Sequence, residues 1–179
     1  MLLDGQAIKR KIVLNLSEDA YNFIQGTTDS EHAFALFISQ LENPHKPSFD
    51  YSELKDAMLK TIAIINKYQK EANIKDPSLL NFAVTDGTTV VCTRYISSST
   101  LEAASLFFSS GSQFRSEADG RYRMIRNNRR DESVVIASEP LTFERNDWLV
   151  IPTNTIFVIT SKINVLMFPI IDEYYSEFR

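Results

Sequence analysis

Five glycines in 179 residues are few, and none falls in a phosphate-cradling loop of the dinucleotide or P-loop kind, so nucleotide binding by those routes is excluded. A single cysteine, Cys92, excludes an intrachain disulfide framework and agrees with a reducing compartment. The two histidines, His32 and His45, lie at no spacing expected of a zinc site, so neither a metal nor another cofactor is expected. A serine triad has no Gly-x-Ser-x-Gly elbow to support it. No apolar run approaches membrane-spanning length, and Leu2-Leu3 is far too short for a signal-peptide core, which points to a soluble, cytoplasmic chain with no membrane partner. Positive charge is also in short supply. A net charge of -4 gives no long-range attraction to phosphate backbones, and no nucleic-acid partner is expected.

What is present is an ordinary globular composition, 44% hydrophobic and 23% charged, enough for a substantial core in one domain. The first half, about 6–74, reads helical. Ile8 to Leu16 and Ser17 to Gln25 form two short amphipathic pieces, with Ser17 as N-cap and Gly26 as terminator of the second. A third helix follows Asp29 and runs to about Glu42, where Asn43-Pro44 and Lys46-Pro47 forbid continuation. Ser52 opens the longest, in which Leu54, Met58, Ile62, Ile65, Tyr68 and Ala72 recur at helical spacing and make one apolar face.

Near Leu79 the period switches from helix to strand. Leu80 to Thr85 and Thr88 to Tyr95 flank Asp86-Gly87, which signals a hairpin whose favoured turn needs positive φ at both central residues. Further strands are expected at 105–109, 122–125, 134–138, 148–151, 156–160 and 163–168, within a sheet-rich part of about 78–171. Most connections are too short for crossover helices. The fold class is therefore α+β, with helices packed on a largely antiparallel sheet.

Few residues offer chemistry. Cys92 sits mid-strand with only Arg94 near enough to lower its pKa, and reads as a small buried residue. Arg121, Arg123, Arg126, Arg129 and Arg130, flanked by Glu117, Asp119, Asp131 and Glu132, read as a solvated hairpin. The segment Gly26-Thr27-Thr28-Asp29-Ser30-Glu31 puts hydroxyls and a carboxylate at a helix start. Two readings of Asp29 stand: a cap for orphan N–H groups, or a carboxylate that holds a ligand's ammonium.

The second reading follows from a resemblance. Thr28-Asp29-Ser30-Glu31, together with Asn22 to Gly26, Leu79 to Gly87, Ser138 to Arg145 and Pro169 to Tyr175, resembles the class II glutamine amidotransferases. The similarity is to the branch that holds the fungal amidotransferase-like subunit of cytosolic glutathione degradation, the Dug pathway, and it runs from about Ile8 to the end. It implies part of an Ntn-hydrolase αββα sandwich with N-terminal strands missing, so that 1–179 is a single incomplete type-2 glutamine amidotransferase domain. In that family an N-terminal cysteine attacks the γ-glutamyl carbonyl, an Asn-Gly pair holds the oxyanion, and an Arg and the acidic motif hold the substrate's α-carboxylate and α-amine. The implied partners are a γ-glutamyl small molecule, glutathione or glutamine, and a metallopeptidase-like subunit.

Only Asp29 carries over, as a substrate-binding residue; no catalytic residue does. Position 2 is Leu rather than Cys, and Asp4-Gly5 does not replace Asn-Gly, because an ionised Asp repels an oxyanion. As written, the chain is expected not to hydrolyse γ-glutamyl bonds and to be poorly stable alone, with an open sheet edge and an uncovered apolar face. It reads as the C-terminal portion of a γ-glutamyl hydrolase subunit; the alternative is a non-catalytic paralogue that acts as a partner-binding module.

Overall fold

The computed structural model describes residues 5–118, 121–127 and 132–177. Leu2, Asp4, Asp119, Gly120, Asn128, Arg129, Arg130 and Asp131, which the sequence reading singled out, lie outside these residues. Four helices come first: α1 (Gly5–Asn15), α2 (Glu18–Asn22), α3 (Asp29–Ile38) and α4 (Tyr51–Glu71). Ser17 caps α2 as expected, its hydroxyl accepting from the Ala20 N–H. Helix α2 ends at Asn22, however, and not at Gly26. Helix α3 stops at Ile38, short of Glu42, because the side chains of Ser39 and Gln40 both donate to the Leu36 carbonyl and close the last turn. Asp50 and Glu53 form a capping box at the start of α4, one residue before the expected opening.

The strands are β1 (Ala83–Thr85), β2 (Val90–Arg94), β3 (Phe107–Gly111), β4 (Gln113–Ser116), β5 (Tyr122–Ile125), β6 (Ser133–Ala137), β7 (Leu149–Val150), β8 (Thr155–Ile159) and β9 (Val165–Pro169). They build an antiparallel sheet in the order β1-β2-β8-β9, a second in the order β6-β3-β7, and a ribbon of β4 and β5. Strand β4 was not expected: Gln113-Phe114-Arg115-Ser116 is too polar to read as one, and its pairing with β5 supplies the order. Pairing upstream of β1 is interrupted at Thr93, whose hydroxyl accepts from Phe82 N–H and donates to Leu80 C=O. That intrusion shortens the expected Leu80–Thr85 strand to its last three residues.

The Asp86-Gly87 hairpin forms, but with a four-residue loop in which only Gly87 has positive φ, at 94°. The Asp86 carboxylate orders the loop. Its Oδ1 accepts from the N–H groups of Thr88 (2.9 Å) and Thr89 (2.8 Å), and its Oδ2 from the N–H of Phe49 (3.1 Å), just ahead of α4. Burial alone would raise its pKa, but these donors prevail and lower it to about 2.

Alternation along β2 and β8 divides the core. Val91, Ile156 and Val158 face Ile62 and Ile65 of α4 and Ile8 and Ile12 of α1 in the larger apolar cluster. Cys92, Phe157 and Ile159 point the other way, onto Phe108 of the second sheet. No residue of a described helix enters that second cluster. The layers thus run helix, sheet, sheet, three of the four in an αββα sandwich.

Candidate functional site

Thr28 is the residue that caps α3. Its backbone is extended (φ −75°, ψ 149°) and its Oγ1 accepts from the Glu31 N–H at 3.3 Å. Glu31 reaches back instead to the N–H groups of Gln25 (2.7 Å) and Gly26 (2.9 Å), which hold its carboxyl below the usual range. A Cβ at Gly26 would lie 2.8 Å from a Glu31 carboxylate oxygen, so a side chain there would displace that carboxylate. Lys9 ties the loop to α1 through the Thr27 carbonyl at 2.8 Å. His32 is buried and its Nδ1 donates to the Thr28 carbonyl at 2.8 Å, so it is a packing residue, as its position suggested.

Asp29 occupies the first helical position, half-buried, its Oδ1 accepting from the Ser30 N–H at 2.9 Å. The next residue, Ser30, is on the wall of a cavity of about 340 Å³ between α3, α4 and the segment leading into β1. Phe34, Phe37, Met58 and Phe82 give this cavity an apolar lining. Two of its polar side chains are committed elsewhere: Thr61 donates to Ala57 C=O, and Asn81 bridges Tyr95 N–H to the Ala104 carbonyl. A carboxylate at the positive end of α3, one residue before the cavity wall, suits a ligand's ammonium.

Among the described residues, no cysteine joins it. Cys92 is 2% exposed, on the β2 face that packs against the second sheet, and burial pushes its thiol up to about 12. Arg94 does not activate it. The buried guanidinium donates to the carbonyls of Ala104 (3.0 Å), Ile151 (2.7 Å) and Ala103 (3.0 Å), with Glu102 at 3.2 Å. His45 is an exposed loop residue. No group of three or more potential metal ligands occurs among the described residues. Arg126 pairs with Asp147 at 2.8 Å and Arg123 with Glu117 at 3.4 Å, which accounts for the described part of the arginine-rich hairpin as solvated surface. Sequence reading missed the linked polar set of Asn66, Tyr95 and Asp172; it placed Tyr95 only as the end of the second hairpin strand, and nothing local shows where its hydroxyl ends.

Helix, sheet and sheet in this order are the layers of a glutamine amidotransferase domain, and the chain belongs to the glutamine amidotransferase family. It is 51% identical over 182 residues to the probable glutamine amidotransferase DUG3 of Saccharomyces cerevisiae, a match to 96% of this chain and 51% of that protein. The chain thus spans about half the length of this curated relative. Among solved structures, a glutamine amidotransferase class-II domain protein from Silicibacter pomeroyi superposes with a TM-score of 0.63 at 21% identity, over 93% of this chain and 63% of that one. The predicted glutamine amidotransferase of Pseudomonas aeruginosa gives 0.50 at 21% identity, over 79% of this chain and 51% of its own. At that identity both speak to the fold alone. No family model matches the chain, and no helix among the described residues is long and apolar enough to cross a membrane.

Proposed function

We propose that the chain supplies the ammonium-recognising side of a class II, Ntn-type site for γ-glutamyl substrates, with Asp29 as the recognition residue. The observation that carries this is the division of labour at α3: Thr28 makes the cap, so a carboxylate at position 29, one residue before Ser30 on the cavity wall, is not needed to start the helix. The naming of the yeast relative as a glutamine amidotransferase supports the substrate class. Glutathione and glutamine share the γ-glutamyl head, whose α-ammonium pairs with Asp29 through charge-assisted hydrogen bonds. In a cytoplasmic assembly for glutathione degradation, a metallopeptidase-like subunit takes the product dipeptide.

Cleavage in this class needs a cysteine whose own α-amine accepts the thiol proton. The thiolate adds to the γ-glutamyl carbonyl, the amine leaves, and water hydrolyses the thioester. Cys92 cannot take that role, being mid-strand, buried and protonated, and the sequence contains no Asn-Gly pair for the oxyanion. This chain therefore binds without cleaving.

The test is calorimetric titration of the chain with glutathione and with glutamine. Saturable binding is expected, weakened about tenfold or more by Asp29→Asn, with no glutamate released. Asn retains the oxygen that accepts from Ser30, so the melting temperature is expected to stay within a few degrees. Equal affinity of the variant, or glutamate release by the chain, would overturn the reading.

A further inference from the structure

We infer that the chain carries a second small-molecule site, for an organic amine with an apolar body, in the cavity between α4 and the segment after β9. The cavity measures about 680 Å³, twice the size of the one beside Ser30. Leu59, Ile62 and Ala63 of α4 and Pro169 and Ile170 on the far side give it apolar walls. Two acceptors on those walls lack the partner their chemistry calls for.

The first is Asn66, only 6% exposed, whose Oδ1 is buried with no hydrogen-bond partner. Its orientation is fixed by its neighbours. The Tyr95 hydroxyl donates to Asp172 Oδ2 at 2.5 Å, so the Tyr95 oxygen must accept, and Asn66 Nδ2 donates to it at 2.6 Å. The Oδ1 is thereby turned away from the pair. An orphaned buried carbonyl oxygen costs about 1–3 kcal/mol, which a ligand N–H would offset.

The second is Asp172, on the same wall. Its carboxylate is held by neutral donors, the Tyr95 hydroxyl and the Tyr174 N–H (2.8 Å), and no cation lies within ion-pairing distance of it among the described residues. Lys67 and Lys70 also line the cavity, drawn to Glu71 (3.9 Å) and Glu173 respectively, so three carboxylates face two ammonium groups there. One neutral acceptor and a negative charge in excess beside apolar walls match an ammonium on a hydrocarbon frame. The site does not involve Asp29 and stands or falls independently of it.

Titration with phenethylamine, with phenethyl alcohol as its neutral counterpart, tests the inference. The amine is expected to bind saturably and at least tenfold more tightly than the alcohol. Asp172→Asn keeps an acceptor for Tyr95 and removes the charge, so it is expected to lower amine affinity about tenfold while leaving the alcohol unchanged. Asn66→Leu should weaken both. Equal binding of amine and alcohol, unchanged amine affinity in Asp172→Asn, or no saturation at all, which would leave only water on Asn66, each overturns it. The titrations are run in the Asp29→Asn background, which removes the ammonium-recognising carboxylate of α3, and Glu42→Gln, an exposed carboxylate outside both cavities, serves as the control and should leave phenethylamine binding unchanged.

Discussion

At a helix start, a cap and a ligand can ask for the same residue types, and Thr28 and Asp29 show how neighbours divide the two tasks. The run from Thr27 to Glu31 marks in the sequence where α3 begins, but not which side chain closes it. That choice belongs to the backbone: ψ of 149° at residue 28 turns the Thr28 hydroxyl onto the Glu31 N–H and leaves Asp29 one step inside the helix. Removing the cap should therefore be felt in folding. Thr28→Ala is expected to cost about 1 kcal/mol, read as a lower urea midpoint at unchanged slope. Asp29→Asn should stay within about 0.5 kcal/mol in the same melt. If Asp29→Asn proves the costlier of the two, Asp29 returns to a structural role. The burial of Cys92 was legible because strand alternation sets it between Val91 and Thr93. The capture of Arg94 by three carbonyls was not, since two belong to an irregular loop at 103 and 104 and the third, of Ile151, lies 57 residues on.

Among the elements, α4 and the β1–β2 hairpin were the most legible, because a long period of 3.6 and a flanked Asp-Gly are strong local signals. The turn's type was not. Sequence reading placed positive φ at both central residues, whereas Asp86 keeps negative φ and orders a longer loop with its carboxylate. The lowered pKa of that carboxylate gives the turn a pH dependence. Asp86 binds no proton in the folded state until about pH 2, while the unfolded chain takes one up near 3.8, so the stability it contributes is complete above about pH 4 and lost as pH falls toward 2. Asp86→Asn should flatten stability over that window in acid titrations of the melting temperature. An unchanged acid slope would show that other carboxylates set it. Strand β4 escaped the sequence because only its pairing with β5 orders it, and the early end of α3 because it is set by side-chain bonds from Ser39 and Gln40 back to Leu36 and not by the prolines further on.

On the scale of the whole molecule, the expected helix-over-sheet layering is present, and the second sheet is what periodicity alone could not place. Alternating apolar residues in β2 and β8 signal two buried faces, yet nothing local says that the second face meets another sheet rather than more helix. That sheet's edge is β7, two residues long, and around it Phe143, Leu149 and Val150 are 80%, 58% and 53% exposed. Apolar surface beside a short edge strand favours association. Light scattering is expected to show particle size growing with concentration, and Phe143→Ser with Leu149→Lys to restore a monomer. A monomer at high concentration without those changes would count against it.

The bond from Phe49 N–H to Asp86 Oδ2 bears on how the two halves are joined. It spans the part of the chain that holds all of α4, and with the Asn66 to Tyr95 and Lys70 to Glu173 links it laces the helical half onto the strands. A cut at the exposed Asn73, where the helical half gives way to the strands, should therefore leave two pieces that stay docked and run together on a sizing column. The change of period near Leu79 marks a turn from one layer to the next, not a seam along which the molecule parts.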